Sequence, residues 1–173
     1  MIAIRPYRRK WGRVLLPILL AMLFVGLPAS MAGTQDLSLT IPKPAAKDKC
    51  PVCGMFVAKY PDWTMAVLFK DGSHVFFDGT KDMFKYLSDI KRYDPLRKAA
   101  DVQAVMVKDY YRLEWLDARK AWYVLGSDIY GPMGRELIPL ALEADAQEFL
   151  RDHKGKRILR FNDVTKEVIQ SLD

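Results

Sequence analysis

The sequence predicts an α+β fold made of duplicated ββα units, in which a mostly antiparallel sheet carries flanking helices. Apolar residues alternate over residues 63–70, the turn-forming pair Asp71-Gly72 follows, and residues 74–77 return as a partner strand. A helical pattern comes next, and a similar strand–strand–helix order recurs after residue 120. Because hairpins alternate with single helices, we expect neighbouring strands to run antiparallel.

The first unit covers residues 63–90. The apolar side chains of its first strand are expected to share one face: Trp63, Met65, Val67 and Phe69. Asp78-Gly79-Thr80 ends the second strand and offers residues suited to capping a helix. The helix carries an apolar stripe at helical spacing, formed by Met83, Phe84, Leu87 and Ile90.

The second unit has the same order of elements. Strands are predicted over residues 121–125 and 136–142, with a loop rich in turn-forming residues over 126–134. A helix is predicted over residues 143–153, and Gly155 ends it.

Two helical segments indicate that the units are an internal duplication. Residues 81–87 and 144–150 fit the same helical frame, and each segment follows a pair of strands. Additional strands are predicted over residues 103–107 and 157–161, and Thr165 is expected to cap a short last helix.

The basic charge of the chain is concentrated at its start. The chain has 27 Lys and Arg residues against 21 Asp and Glu, for a net charge of +6. Five of the basic residues lie in the first 32, which contain no acidic residue, so 22 basic residues face 21 acidic ones in the remainder. A nearly neutral body gives no electrostatic basis for binding nucleic acid.

Residues 1–32 are predicted to be an export signal peptide. Arg8-Arg9-Lys10 precedes an apolar run over residues 14–27, and Ser30-Met31-Ala32 places small residues at a cleavage site. The run is short for a transmembrane helix, which needs about 20 residues; an uncleaved anchor is the alternative. No cysteine between the run and Cys50 could accept a lipid. In either case the body is expected to be periplasmic or otherwise extracytoplasmic.

Residues 33–49 are predicted to be a flexible linker. They are polar, contain Pro42 and Pro44, and show neither strand nor helix periodicity. The folded, metal-binding domain is therefore expected over residues 50–173.

The segment Cys50-Pro51-Val52-Cys53-Gly54-Met55 contains both cysteines of the chain. Thiolate and thioether sulfur are soft ligands that select Cu(I). On an extended strand, Cys53 and Met55 would point to the same face. A Cys-x-x-Cys motif also occurs in redox dithiols, zinc sites and structural disulfides, and Met55 favours copper without excluding them.

The alternatives to copper differ in what they require. An oxidising compartment allows a permanent local disulfide between Cys50 and Cys53. A thioredoxin-like redox motif opens a helix, which Gly54 disfavours here. A structural zinc site needs four ligands, and His74 and His153 lack the spacing of a histidine pair, so zinc is the less favoured metal.

A third soft ligand is predicted in Gly131-Pro132-Met133-Gly134. A methionine between glycines and a proline has little regular structure to pack into, and a flexible loop would carry it over a bound ion. The alternative is that Met133 fills a gap in the core.

Together these segments resemble the NosL family, the copper-binding accessory proteins of nitrous oxide reductase. The resemblance covers residues 50 to about 161 and rests on three segments. They are Cys53-Gly54-Met55, Phe76-Phe77-Asp78 before Met83-Phe84-Lys85-Tyr86-Leu87, and Gly131-Pro132-Met133-Gly134 followed by Glu136-Leu137-Ile138-Pro139.

The resemblance implies a repeated ββα fold, similar to part of the alkylmercury lyases, and a periplasmic Cu(I) carrier. The family's Cys-x-Met corresponds to Cys53 and Met55, and its later methionine corresponds to Met133. The implied partner is a client copper enzyme such as nitrous oxide reductase, or the membrane machinery that assembles it. The chain departs from the family in lacking the lipid-acceptor cysteine of many members and in having Cys50, which either joins the site or protects Cys53 by reversible disulfide formation.

The sequence therefore predicts a metallochaperone rather than an enzyme. It would bind Cu(I) through Cys53, Met55, Met133 and Cys50 and release the ion by ligand exchange. The competing hypotheses are a periplasmic thiol–disulfide oxidoreductase that uses Cys50 and Cys53, and a structural module with a local disulfide.

Overall fold

The computed structural model describes residues 40–173. The predicted signal peptide and residues 33–39 of the predicted linker lie outside the described residues, so the division of the chain into signal peptide, linker and domain stays a prediction. Within residues 40–173, no helix combines the length and the apolar character that crossing a membrane requires.

The first sheet is antiparallel and has the strand order β2-β1-β3-β4. The strands are β1 (Met65–Phe69), β2 (His74–Phe77), β3 (Val102–Lys108) and β4 (Trp115–Asp117). Two helices, α1 (Thr80–Ser88) and α2 (Ile90–Tyr93), connect β2 to β3. The predicted hairpin is present, and Gly72 has a φ of 83° in its turn, a value that favours glycine.

The second sheet is antiparallel and has the strand order β6-β5-β7. Its strands are β5 (Trp122–Gly131), β6 (Gly134–Leu140) and β7 (Arg157–Arg160). Helix α3 (Glu143–Asp152) connects β6 to β7, and α4 (Lys166–Gln170) follows β7. Thr165 caps α4 as predicted, because its Oγ1 accepts a hydrogen bond from the Val168 N–H.

The two sheets confirm the predicted α+β class and its duplicated ββα units. In each unit a hairpin leads to a helix, and the next strand returns to pair with the first strand of that hairpin. The orders β2-β1-β3 and β6-β5-β7 are therefore the same topology used twice, and β4 is an additional edge strand that the sequence patterns did not predict.

Three local predictions were wrong. All five residues of β1 are buried, since β1 is a central strand covered on both faces, and Trp63 lies before it. Helix α1 ends at Ser88, so Ile90 belongs to α2. The predicted loop over residues 126–134 is mostly strand: β5 pairs with β6 out to Gly131, across an irregularity between Leu125 and Tyr130.

Helix α1 lies between the two sheets and joins their cores. The ring of Phe84 packs edge-on against Tyr123 of β5, with ring centroids 5.3 Å apart. Met83 and Tyr86 are fully buried in the same core. On the other face of the second sheet, Phe149 of α3 packs in a separate cluster. The start of α1 is thereby held beside the turn between β5 and β6.

Candidate metal centre

The segment Cys50–Met55 forms a tight loop, not the extended strand that would place Cys53 and Met55 on one face. Lys49 and Phe56 pair as an isolated antiparallel bridge at its base. The Cys50 N–H donates to the Met55 carbonyl at 2.9 Å, and the Gly54 N–H donates to the Cys50 carbonyl at 2.9 Å. Gly54 has a φ of 79°, so this turn needs a residue without a Cβ.

The loop presents both thiols to two carboxylates at the start of α1. The Cys53 thiol donates to Asp78 Oδ1 at 3.1 Å. The Cys50 thiol donates to Asp82 Oδ2 at 3.5 Å. The four potential ligand atoms of these residues all lie within 4.8 Å of one another. These four residues could therefore hold a single metal ion.

Burial controls the protonation of both thiols. Cys50 is 1% exposed, whereas Cys53 is only partly buried. Removal from water raises the pKa of Cys50 strongly, and it raises the pKa of Cys53 to about 12, helped by the nearby Asp78 carboxylate. Both thiols are therefore protonated in the metal-free protein at neutral pH, and a metal ion has to displace those protons when it binds.

One carboxylate oxygen of Asp78 is buried without a hydrogen-bond partner among the described residues. Asp78 is 1% exposed, and its Oδ2 is buried without a hydrogen-bond partner among the described residues. Buried oxygen acceptors nearly always have a partner. This oxygen therefore fits the role of a cation ligand, which the sequence patterns did not assign to it.

Asp78 was expected to cap α1, but Glu136 of β6 does so instead. The N-cap residue is Gly79, and it has no side chain to cap with. Glu136 Oε2 accepts the Lys81 N–H at 2.7 Å. A Cβ on Gly79 would lie 2.3 Å from Glu136 Oε1, so glycine is needed there for space. Asp78 is thus free to face the thiols.

Sequence reasoning missed Asp78 and Asp82 as ligand candidates. A signal was present: the two aspartates are four residues apart, a spacing that places side chains on one face of a helix. This spacing alone does not indicate a metal site, because acidic residues near a helix N-terminus are common and favourable.

Met133 lies on the rim of the site, in a turn that is not a flexible loop. Only Pro132 and Met133 separate β5 from β6, and Lys81 Nζ donates to the Met133 carbonyl at 3.1 Å. Met133 and Cys53 line the same recess, which has a volume of about 750 Å³. Met133 is 41% exposed there, so its thioether is not a core residue.

The remaining sulfur and imidazole groups are placed as follows. Met55 is partly buried and closes the cysteine loop through its backbone carbonyl, but it does not line the recess. His74 packs against Phe76, and His153 Nδ1 lies 3.4 Å from Asp128. Neither histidine belongs to the group of potential ligands found in residues 40–173.

The fold and this site define a class: a small metal-binding protein with two thiols and two carboxylates beside an open recess, held between duplicated ββα units. A family model described as NosL matches residues 42–169. The chain belongs to the NosL family, which confirms the predicted resemblance.

Two relatives show how close this relationship is. The chain is 29% identical over 131 residues to the copper-binding lipoprotein NosL of Stutzerimonas stutzeri, an alignment covering 71% of this chain and 65% of that protein. The chain thus spans slightly less than two thirds of that relative. Its fold is similar to the crystal structure of the copper chaperone NosL from Shewanella denitrificans, with a TM-score of 0.63, 25% identity, and coverage of 74% of this chain and 97% of that one.

Proposed function

We propose that this protein is an extracytoplasmic carrier that binds Cu(I) and delivers it for the assembly of a copper centre, such as that of nitrous oxide reductase. The observation that carries the proposal is the pair of thiols within 4.8 Å of each other, of which Cys53 lines a recess that Met133 also lines. Soft sulfur donors select Cu(I) over harder ions. The names of the two relatives, a copper-binding lipoprotein and a copper chaperone, support the same metal.

The unequal exposure of the two cysteines suggests how the ion would be held and released. Cys50 is 1% exposed and would hold Cu(I) from inside the protein. Cys53 borders the recess and would be the thiolate that an incoming ligand replaces. Met133, and Met55 if its side chain turns inward, would complete a site of low coordination number. Such a site leaves room for a client ligand to enter before the carrier's ligands leave.

The proposed partner is a client copper enzyme or its membrane-bound assembly machinery. The recess offers a route for contact because Met133 and Tyr130 on its rim are 41% and 63% exposed. Methionine and tyrosine are typical of the centres of protein interfaces. The predicted signal peptide and the description of one relative as a lipoprotein support an extracytoplasmic location.

Thiol–disulfide exchange is the second candidate function. The two sulfur atoms lie within 4.8 Å of each other, so rotation of the side chains could bring them together as a disulfide. The thiolate is the reacting form, however, and burial raises the pKa of both thiols. Because the raised pKa values leave little thiolate, we expect slow dithiol chemistry in the metal-free protein. We therefore rank thiol–disulfide exchange below copper transport.

Anaerobic titration with Cu(I) against a chromophoric Cu(I) chelator tests the proposed function. The reduced protein should withdraw about one equivalent of Cu(I) from the chelator, because the described residues hold one thiol pair. The double variant Cys50→Ser/Cys53→Ser is the control and should withdraw none. No withdrawal by the wild-type protein would exclude the copper carrier.

A further inference from the structure

We propose that a second recess, beside the one that Cys53 lines, docks an acidic segment of a partner protein. The second recess has a volume of about 500 Å³ and lies where β5 and β6 meet the turn between α3 and β7. Three basic residues line it, Arg135, Lys154 and Lys156, against a single acidic residue among those described, Asp128. A concave site with an excess of positive charge attracts negatively charged groups.

An irregularity in β5 builds the second recess. The pairing of β5 with β6 is interrupted after Leu125. The Asp128 N–H donates to the His153 carbonyl at 2.9 Å, and the Lys156 N–H donates to the Leu125 carbonyl at 2.8 Å. Gly126 has a φ of 81°, and a Cβ there would lie 2.9 Å from the Lys156 side chain. The turn after α3 is thereby held against β5, with the stem of Lys156 packed across Gly126.

The second recess contains polar groups that lack partners. Arg135 and Lys156 form neither an ion pair nor a side-chain hydrogen bond within the part of the chain that the structure describes, whereas Lys154 Nζ lies 3.5 Å from Asp128 Oδ2. Ser127 also lines this recess, and its Oγ is buried without a hydrogen-bond partner among the described residues. Buried hydroxyl groups nearly always have a partner. Two unpaired cations and an unpaired hydroxyl are the donors that a carboxylate accepts hydrogen bonds from.

The two recesses adjoin through one pair of residues. Tyr130 and Arg135 lie opposite each other in the β5–β6 pairing and line both recesses. Opposite residues of an antiparallel pair project from the same face of the sheet. Tyrosine and arginine are also enriched among the residues that dominate the binding energy of protein interfaces. Two adjoining concavities suit an extended chain segment, whereas a flat bilayer surface would not reach Ser127.

The position of the second recess has a consequence for copper transfer. A protein docked there would lie beside Cys53 and Met133, which line the adjoining recess. Attraction between its acidic segment and the basic residues would also speed the encounter. This consequence rests on the proposed copper function. The docking itself does not, because it uses no metal ligand.

Titration of the nitrogen-15-labelled, reduced, metal-free protein with a capped hexaglutamate peptide tests the docking site. The backbone amides of residues 126–130 and 154–156 should shift, and a capped hexaglutamine peptide should shift none of them. Raising the salt concentration from about 0.01 to about 0.1 M should weaken the binding roughly fivefold, since the screening length falls from about 30 to about 10 Å. Absence of these shifts at low salt would overturn the proposal.

Two charge-matched double variants separate the second recess from general attraction. Arg135→Gln/Lys156→Gln removes both unpaired cations and should weaken peptide binding roughly fivefold or more. Lys91→Gln/Arg151→Gln removes the same charge from exposed sites on α2 and α3 that line neither recess, and it should change the affinity less than twofold. All four side chains are exposed, so both variants should fold. Equal losses in the two variants would refute the docking site.

Other occupants of the second recess give different results. Shifts of the same amides by inorganic phosphate, without any by the peptide, would replace the docking site with a small-anion site. Binding to vesicles that contain anionic lipid, again without peptide shifts, would replace it with a membrane contact. The copper carrier and the docking site can fail separately, because the peptide titration uses metal-free protein and the Cu(I) titration uses no peptide.

Discussion

The two cysteines, although only three residues apart, have different surroundings. Cys50 is 1% exposed and faces Asp82 at the start of α1, whereas Cys53 faces Asp78 and borders the recess that Met133 also lines. The difference arises because Cys50 belongs to the buried core cluster, whereas Cys53 packs against that cluster and is only partly buried. In the proposed copper carrier, Cys50 therefore retains the ion and Cys53 exchanges it.

Single serine variants of the cysteines distinguish the carrier from a redox enzyme. Both variants should lower the Cu(I) affinity, and Cys50→Ser should lower it more, because Cys50 retains the ion and Cys53 exchanges it. A dithiol enzyme predicts a different pattern, since its reaction closes a bond between the two sulfurs and either variant would abolish it. Parallel Cu(I) titrations and disulfide-reduction assays measure both.

Met133→Leu provides the comparison for the cysteine variants. It nearly conserves volume, so it should cost less than about 1.5 kcal/mol of stability. If the thioether binds copper, the variant should lose Cu(I) affinity and keep any dithiol activity. Unchanged Cu(I) affinity would leave Met133 as a rim residue and direct the search for a third ligand to Met55.

At the scale of elements, helix α1 depends on a residue from the other repeat. Glu136 of β6 accepts a hydrogen bond from the Lys81 N–H, and it is 2% exposed. Lys81 in turn donates to the carbonyls of Met133 and Leu172. These contacts fasten the start of α1, which contains Asp82 and lies directly after Asp78 and Gly79, to the turn that carries Met133. The geometry of the site is therefore set by the junction of the two repeats.

The buried Glu136 predicts a pH dependence of stability. Removal from water raises the pKa of Glu136 to about 8, against the opposing effect of the Lys81 N–H and ammonium group. The folded state then keeps a proton that the unfolded state, with a pKa of 4.5, has lost. Stability from this group should be present below about pH 4.5 and should be lost as the pH rises through about 8.

Thermal unfolding of Glu136→Gln checks this prediction. Glutamine keeps the acceptor for the Lys81 N–H and cannot ionise. Relative to wild type, the variant should gain several degrees in Tm between pH 5 and pH 8, since 1 kcal/mol corresponds to roughly 2–4 °C in a chain of this size. Glu114→Gln, at an exposed site, serves as the control. An equal Tm difference at both pH values would show that Glu136 ionises normally in the folded protein.

At the scale of the whole molecule, the chain is predicted to lose residues 1–32 as a signal peptide before it functions. The small residues at Ser30 and Ala32 place the new N-terminus at Gly33. The intact mass of protein exported to the periplasm should match residues 33–173. The mass of the full chain would indicate a retained anchor, and additional lipid mass would contradict the interpretation of the first 32 residues.

The sequence alone determined the order of most elements and indicated which sulfur groups could bind a metal. The hairpin at Asp71-Gly72, the helix over 143–152 and the cap at Thr165 depend on local spacing and turn chemistry, which a short window contains. The duplication was readable because each repeat carries its own copy of those local patterns. The clustering of Cys50, Cys53 and Met55 favoured soft-metal chemistry for the same reason.

Only the tertiary structure decided which groups meet at the site. Asp78 and Asp82 join the thiols because Glu136, 55 residues from Lys81 along the chain, has taken over the capping of α1. Tyr130 and Gly131 are strand because Arg135 and Gly134 of β6 pair with them, overriding the local preference of turn-forming residues. Met133 reaches the recess because Lys81 fastens its turn to α1. Each of these outcomes depends on contacts between the repeats, and such contacts produce no periodic pattern in a short stretch of sequence.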